Sequence, residues 1–186
     1  MAITRIGGAN AITGTIPQGN IANASLGAVT ALPFGTGKIG QVVSSGIEYG
    51  QNTNSTSLQD ILSASGTVWE TAITPSATSS KIFVMANILM TWEQNGNAQN
   101  RGQVYFLSKT GSGSYGLVQG AELGNYDYGS SGVQSRQRVP IMFQVSPSTT
   151  SAVTIKFQYK GIGGTTCAVN DGSQKTSTVL LWELLA

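Results

Sequence analysis

Few side chains in this sequence could do chemistry. Its 186 residues hold eight Asp and Glu, one cysteine and no histidine. Without imidazole the commonest general base and metal ligand is missing, which removes Ser-His-Asp and Cys-His arrangements and His-based zinc sites. A pair of carboxyl groups held ~5–9.5 Å apart would suit glycoside hydrolysis. Yet Glu48, Asp60, Glu70, Glu93, Glu122, Asp127, Asp171 and Glu183 are spread singly, and only Glu122 and Asp127 share a segment. Acid–base work needs a dedicated cleft that perturbs such a pair, so the chain reads as a non-enzyme. Asn170-Asp171-Gly172-Ser173 offers oxygens to calcium with too little charge, and Asp-Gly fits a tight turn better. Gly111-Ser112-Gly113 and Gly161-Ile162-Gly163-Gly164 open no helix, so they read as turns rather than phosphate cradles. No cofactor or metal is expected.

Binding chemistry is better represented. Gly124-Asn125-Tyr126-Asp127-Tyr128-Gly129 is a candidate recognition loop, with Tyr126, Asp127 and Tyr128 combining rigid contact area and hydrogen bonding, which suits a glycan or a protein surface. An ordinary long loop whose tyrosines cover a sheet edge is the equal alternative. Trp92 with Asn95, Asn97 and Asn100 is a weaker candidate, because Trp92 closes an apolar run and fits a core position. Ten basic residues against eight acidic ones give a formal charge of +2. The one close basic pair, Arg136 and Arg138, shares a strand face, which is no nucleic-acid footprint.

The elements that must position these residues read as all-β. Charged residues are only 10% of the sequence and apolar ones 40%, against ~25% charged in ordinary soluble chains, so the chain should fold with a hydroxyl- and amide-rich surface. Short apolar runs separated by turn formers predict strands over Ile39 to Ser44, Thr67 to Thr74, Lys81 to Trp92, Gln103 to Lys109, Tyr115 to Gln119, Ser135 to Val145, Ala152 to Lys160, Thr166 to Val169 and Ser177 to Leu185. Pro75 to Ser80 and Pro147 to Ser151 resemble each other and read as equivalent corners of two sheets. Ile155, Phe157 and Tyr159 alternate with polar neighbours, so one face of that strand meets the core. Val179 to Leu185 does not alternate, and reads as a central strand buried on both sides, by the core and by a subunit interface; a short helix is the competing reading. Cys167, the only cysteine, excludes an intrachain disulfide.

Residues 1–37 differ from the rest. They hold no acidic residue and one basic residue, Arg5, with isolated aliphatics at Ile3, Ile6, Ile12, Ile16, Ile21 and Leu26. Such a segment cannot bury enough apolar surface to offset its own ordering entropy. It is expected to be an extended N-terminal arm that needs a partner surface, joined through Pro33-Phe34-Gly35-Thr36-Gly37 to a domain over 38–186. No continuous apolar run suggests a signal peptide or membrane span.

Three stretches carry a resemblance. Gly37-Lys38-Ile39-Gly40-Gln41-Val42-Val43-Ser44, Thr71-Ala72-Ile73-Thr74-Pro75-Ser76-Ala77-Thr78-Ser79-Ser80-Lys81-Ile82-Phe83-Val84 and Ser177-Thr178-Val179-Leu180-Leu181-Trp182-Glu183-Leu184 resemble the C-terminal domains of fibre-like virion proteins of tailed bacteriophages, marine and cyanophage ones especially. Ile12-Thr13-Gly14-Thr15-Ile16-Pro17 is similar to their linkers. The resemblance implies a two-sheet jelly roll of the complement and tumour-necrosis-factor type, a homotrimer on the virion surface, with Leu180, Trp182 and Leu184 at the trimer interface. Unlike long tail fibres, the chain has no extended shaft, and an arm of this length reaches ~120 Å at ~3.3 Å per residue. The expected function is therefore a capsid decoration, or cement, protein whose arms dock on the major capsid protein. The alternative is a short trimeric tail fibre with a receptor-binding head that contacts a host-surface glycan or protein.

Overall fold

The computed structural model describes residues 38–93, 100–125, 134–163, 165–171 and 176–185. They form eleven strands: β1 (Lys38–Ile47), β2 (Gln51–Thr53), β3 (Gln59–Asp60), β4 (Glu70–Ile73), β5 (Lys81–Glu93), β6 (Asn100–Thr110), β7 (Gly116–Asn125), β8 (Gln134–Val145), β9 (Val153–Ile162), β10 (Thr166–Val169) and β11 (Ser177–Leu185). No helix occurs among the described residues.

All pairings are antiparallel, and four of them are nested. β1 pairs β11, β4 pairs β9, β5 pairs β8 and β6 pairs β7, so the described strands trace a long hairpin rolled onto itself. That nesting is what makes a jelly roll. One sheet runs β1-β11-β5-β8, with β10 and β2 continuing it beside the far half of β5; the other runs β4-β9-β6-β7, with β3 also on β9. The connections 74–80 and 146–152 both pass from one sheet to the other. Because β4 pairs β9 and β5 pairs β8, they leave and enter the same two strand pairs.

The core lies between the sheets. Val153, Ile155, Phe157 and Tyr159 of β9 are buried while Thr154, Lys156, Gln158 and Lys160 are half-buried on the opposite face. Phe157 stacks on Trp69 with ring centroids 5.1 Å apart and meets Phe106 at 5.6 Å. Trp92 is 3% exposed and belongs to this core. Cys167 is fully buried, and burial pushes its thiol up to about 12, so it stays protonated and inert.

Residues 179–185 are strand, not helix, because the run pairs with β1 on one side and β5 on the other: Val43 and Val84 flank Leu181, and Val42 and Phe83 flank Trp182. The sequence reading missed β2 and β3. Both are too short for alternation to show. Gly124 and Asn125, expected in a loop, close β7.

Candidate functional site

The outer face of the β1-β11-β5-β8 sheet carries the clearest unspent binding surface. In β11, Val179, Leu181 and Glu183 point into the sandwich, so Leu180, Trp182 and Leu184 point out, each half-buried. The register aligns them with apolar neighbours. One rung holds Val42, Trp182 and Phe83; the next holds Leu180, Met85 and Met142; Ile39 stands opposite Leu184. Val42 is 52% exposed and Met142 58%. Phe83 and Trp182 have ring centroids 5.9 Å apart, and the buried Trp182 indole N–H meets no acceptor among the described residues. Apolar residues thus cross four strands on the solvent side, the arrangement that marks an association surface.

The other sheet presents a different outer face. Lys156 Nζ lies 2.7 Å from Asp60 Oδ1, Gln158 Nε2 donates to the same oxygen at 2.8 Å, and the amines of Lys109 and Lys156 sit 4.5 and 4.6 Å from the Tyr115 ring centre. Ion pairs and cation–π contacts of this kind suit a face turned to water.

Beneath the apolar rows lies one buried carboxylate. Glu183 is 1% exposed. The Ser76 amide donates to Oε1 at 2.5 Å and the Ser76 hydroxyl at 2.6 Å, while Gln41 Nε2 donates to Oε2 at 2.8 Å. Gln41 Nε2 also donates to the Thr74 carbonyl at 2.5 Å. Burial by itself pushes the Glu183 carboxyl upward, but the Ser76 hydroxyl and amide and then Gln41 outweigh it, with the nearby Ser80 hydroxyl adding to them, and hold it below its ordinary value. Gly40 lets β1 come this close, since a Cβ there would lie 3.0 Å from Glu183 Oε2 and 2.8 Å from Leu185. Gly40 and Gln41, Ser76 and Ser80, and Glu183 come from the three stretches that carry the resemblance. Those stretches therefore meet at one carboxylate that ties the edge strand β1 and the 74–80 corner to β11.

Other sequence-predicted residues fall elsewhere. Ile3, Ile6, Ile12, Ile16, Ile21 and Leu26 of the arm lie outside the described residues, as do Tyr126, Asp127 and Tyr128. Arg136 and Arg138 share the outer face of β8, where Arg136 Nη2 lies 3.7 Å from Asp171 and Arg138 donates to the Thr176 carbonyl at 2.8 Å. The Asn170 side chain is spent on a buried bond from Ser177 Oγ at 2.5 Å, which removes it as a calcium ligand. The structure also brings together what the sequence reading kept apart: Glu93 and Asp171 line one polar cleft. No local spacing signals this, because its walls come from four separate segments. Among the described residues no cluster of three or more acidic, Cys or His side chains could hold a metal.

No protein-family model matches the sequence, and no curated protein does either. Among solved structures, the chain is similar to a structure of the infectious bursal disease virus Gx strain, with 13% identity and a TM-score of 0.36, covering 78% of this chain and 37% of that one. A VP2 subviral particle of the same virus overlaps with 11% identity and a TM-score of 0.32, covering 78% and 38%. The Gt strain structure gives 11%, 0.34, 80% and 37%. The chain thus spans little more than a third of the length of these proteins, and overlaps at this level carry no functional argument. The fold rests on its own strand pairing.

Proposed function

We propose that this chain is a non-enzymatic surface protein of a bacteriophage virion: a homotrimeric capsid decoration protein whose residues 1–37 dock on the shell and whose jelly rolls project outward. The observation that carries the reading is the apolar outer face centred on Leu180, Trp182 and Leu184. A monomer would leave it in water, and further copies of the same chain arranged in a closed ring can cover it around their common axis. The threefold symmetry and the virion come from the resemblance of the motifs that meet at Glu183, and the partner on the particle is then the major capsid protein. Nucleic acid and membrane insertion have no part in this reading.

The arm supports docking for a physical reason. Its isolated aliphatics, Ile12, Ile16, Ile21 and Leu26 among them, are too sparse to form a core and suit shallow pockets on a foreign surface. Deleting residues 1–37 and measuring retention on purified capsids tests it. The deletion protein is expected to remain folded and associated while losing capsid binding; undiminished binding would overturn the decoration reading.

A short tail fibre with a receptor-binding head is the second reading. The observation favouring it is the polar cleft bordered by Glu93 and Asp171, and the Tyr126-Asp127-Tyr128 sequence suits the same role. It predicts adsorption of the isolated protein to host cells, weakened by Tyr126→Ala.

A further inference from the structure

The polar cleft is built at the end of the sheet away from the apolar rows. There β5 runs on beyond β11 and is bordered instead by β10, with β2 beyond it: Thr166 stands opposite Glu93, and Ala168 stands between Thr91 and Asn52. On the far side Gln134 of β8 faces Glu93. These residues share the outer face, and the two at the bottom, Thr91 and Ala168, are small and buried. Small residues flanked by long ones leave a depression of about 490 Å³, with Tyr49 and Asp171 also at its rim.

Its walls are held from beneath. Asn170, fully buried in a left-handed conformation (φ 55°), donates its backbone N–H to the Leu89 carbonyl at 2.9 Å and its side-chain amide to the Tyr49 carbonyl at 3.4 Å. Its Oδ1 accepts from Ser177 Oγ, which in turn accepts from the Leu89 N–H at 2.9 Å. Gly50 allows the close approach, since a Cβ there would sit 3.0 Å from the Asn170 carbonyl oxygen. Tyr49 and Asp171 are thus chain neighbours of a buried, satisfied polar network, and such networks rigidify what they support.

The lining selects a ligand class by chemistry. An anion would face Glu93 and Asp171, and the neighbouring Arg136 is paired with Asp171 at 3.7 Å. An apolar ligand would strand carboxylates and amides without partners. A polyhydroxylated neutral ligand fits each group: its hydroxyls donate to Glu93 and Asp171 and accept from Asn52 and Gln134, while Tyr49, 45% exposed, offers a ring face to its C–H surface. We propose that this cleft binds one or two rings of a neutral oligosaccharide and releases them uncleaved. The proposal does not depend on where the chain sits on a particle.

The test is an array of immobilised neutral glycans, with sialylated and sulfated ones alongside, probed with the full-length chain. Titration of the strongest neutral binder follows, for wild type and for Glu93→Ala, Tyr49→Ala and Gln134→Ala. All three are rim positions, and unchanged thermal midpoints verify that each variant folds. The expected result is binding to at least one neutral glycan that weakens about tenfold or more in the Glu93 and Tyr49 variants, with the glycan recovered intact. Preference for acidic glycans, no neutral binding, affinity that survives the Glu93 and Tyr49 changes, or cleavage of the bound glycan would each overturn it. Capsid retention, measured on the same variants, is expected to be unaffected, which separates this proposal from the decoration reading.

Discussion

Glu183 sits where the amino-acid pattern argues against it. In a run of Val, Leu and Trp, the one acidic side chain points inward, and its apolar neighbours Leu180, Trp182 and Leu184 point out. Burying a carboxylate is unfavourable unless its lone pairs are filled, and here Ser76 and Gln41, more than 100 residues away in the chain, fill them. Replacing Glu183 with Ala leaves the Ser76 amide and hydroxyl without their acceptor, and chemical denaturation should show a loss of about 1–3 kcal/mol at neutral pH. The carboxyl is held below its ordinary 4.5, so the folded state binds its proton more weakly than the unfolded state does. That contribution is fully present above pH ~4.5 and disappears as pH falls through the folded value. Thermal midpoints of wild type and Glu183→Gln measured from pH 7 downward should therefore differ most at neutral pH and converge in acid. A gap that stays constant or widens on acidification would contradict the role given to this carboxylate.

Elements whose two faces differ were legible in the sequence, and those whose faces do not differ were legible only in part. The alternation of Ile155, Phe157 and Tyr159 with Lys156 and Gln158 specifies both the strand and its inward face. In β11 the alternation is absent because an apolar core lies on one side and an apolar solvent face on the other, so strand and helix could not be separated until Val42, Val43, Phe83 and Val84 supplied its ladder partners. Gln51-Asn52-Thr53 carries no apolar residue at all, and only pairing with Cys167 to Val169 makes it a strand. The parity of β11 gives a paired prediction. Leu180→Lys should leave the fold intact while weakening self-association, because its side chain lies on the outer face. Val179→Lys, one position away and fully buried, should abolish folding. On β6, Phe106→Ala should cost about 3–5 kcal/mol, since it removes a ring packed on Phe157.

At the scale of the molecule, the two sheets divide the labour. The outer face of the β4-β9-β6-β7 sheet carries an ion pair and cation–π contacts suited to solvent, whereas the β1-β11-β5-β8 sheet carries apolar rows at one end and a hydroxyl-binding cleft at the other. Of the apolar surface only its β11 residues Leu180, Trp182 and Leu184 were legible as a candidate interface, and the cleft was not legible at all, because each gathers residues from four segments that only the rolled topology brings together. The division predicts that association and glycan binding are separable: Leu180→Lys should lower the oligomeric state without altering the affinity of a single cleft, and Glu93→Ala should do the reverse. The central claim is that the apolar face is covered by copies of the same chain. Sedimentation equilibrium of the full-length protein at micromolar concentration tests it most directly. The account predicts a species of three times the 19.3 kDa chain mass, reduced to one chain mass by Leu180→Lys; a wild-type protein that stays at 19.3 kDa would contradict it.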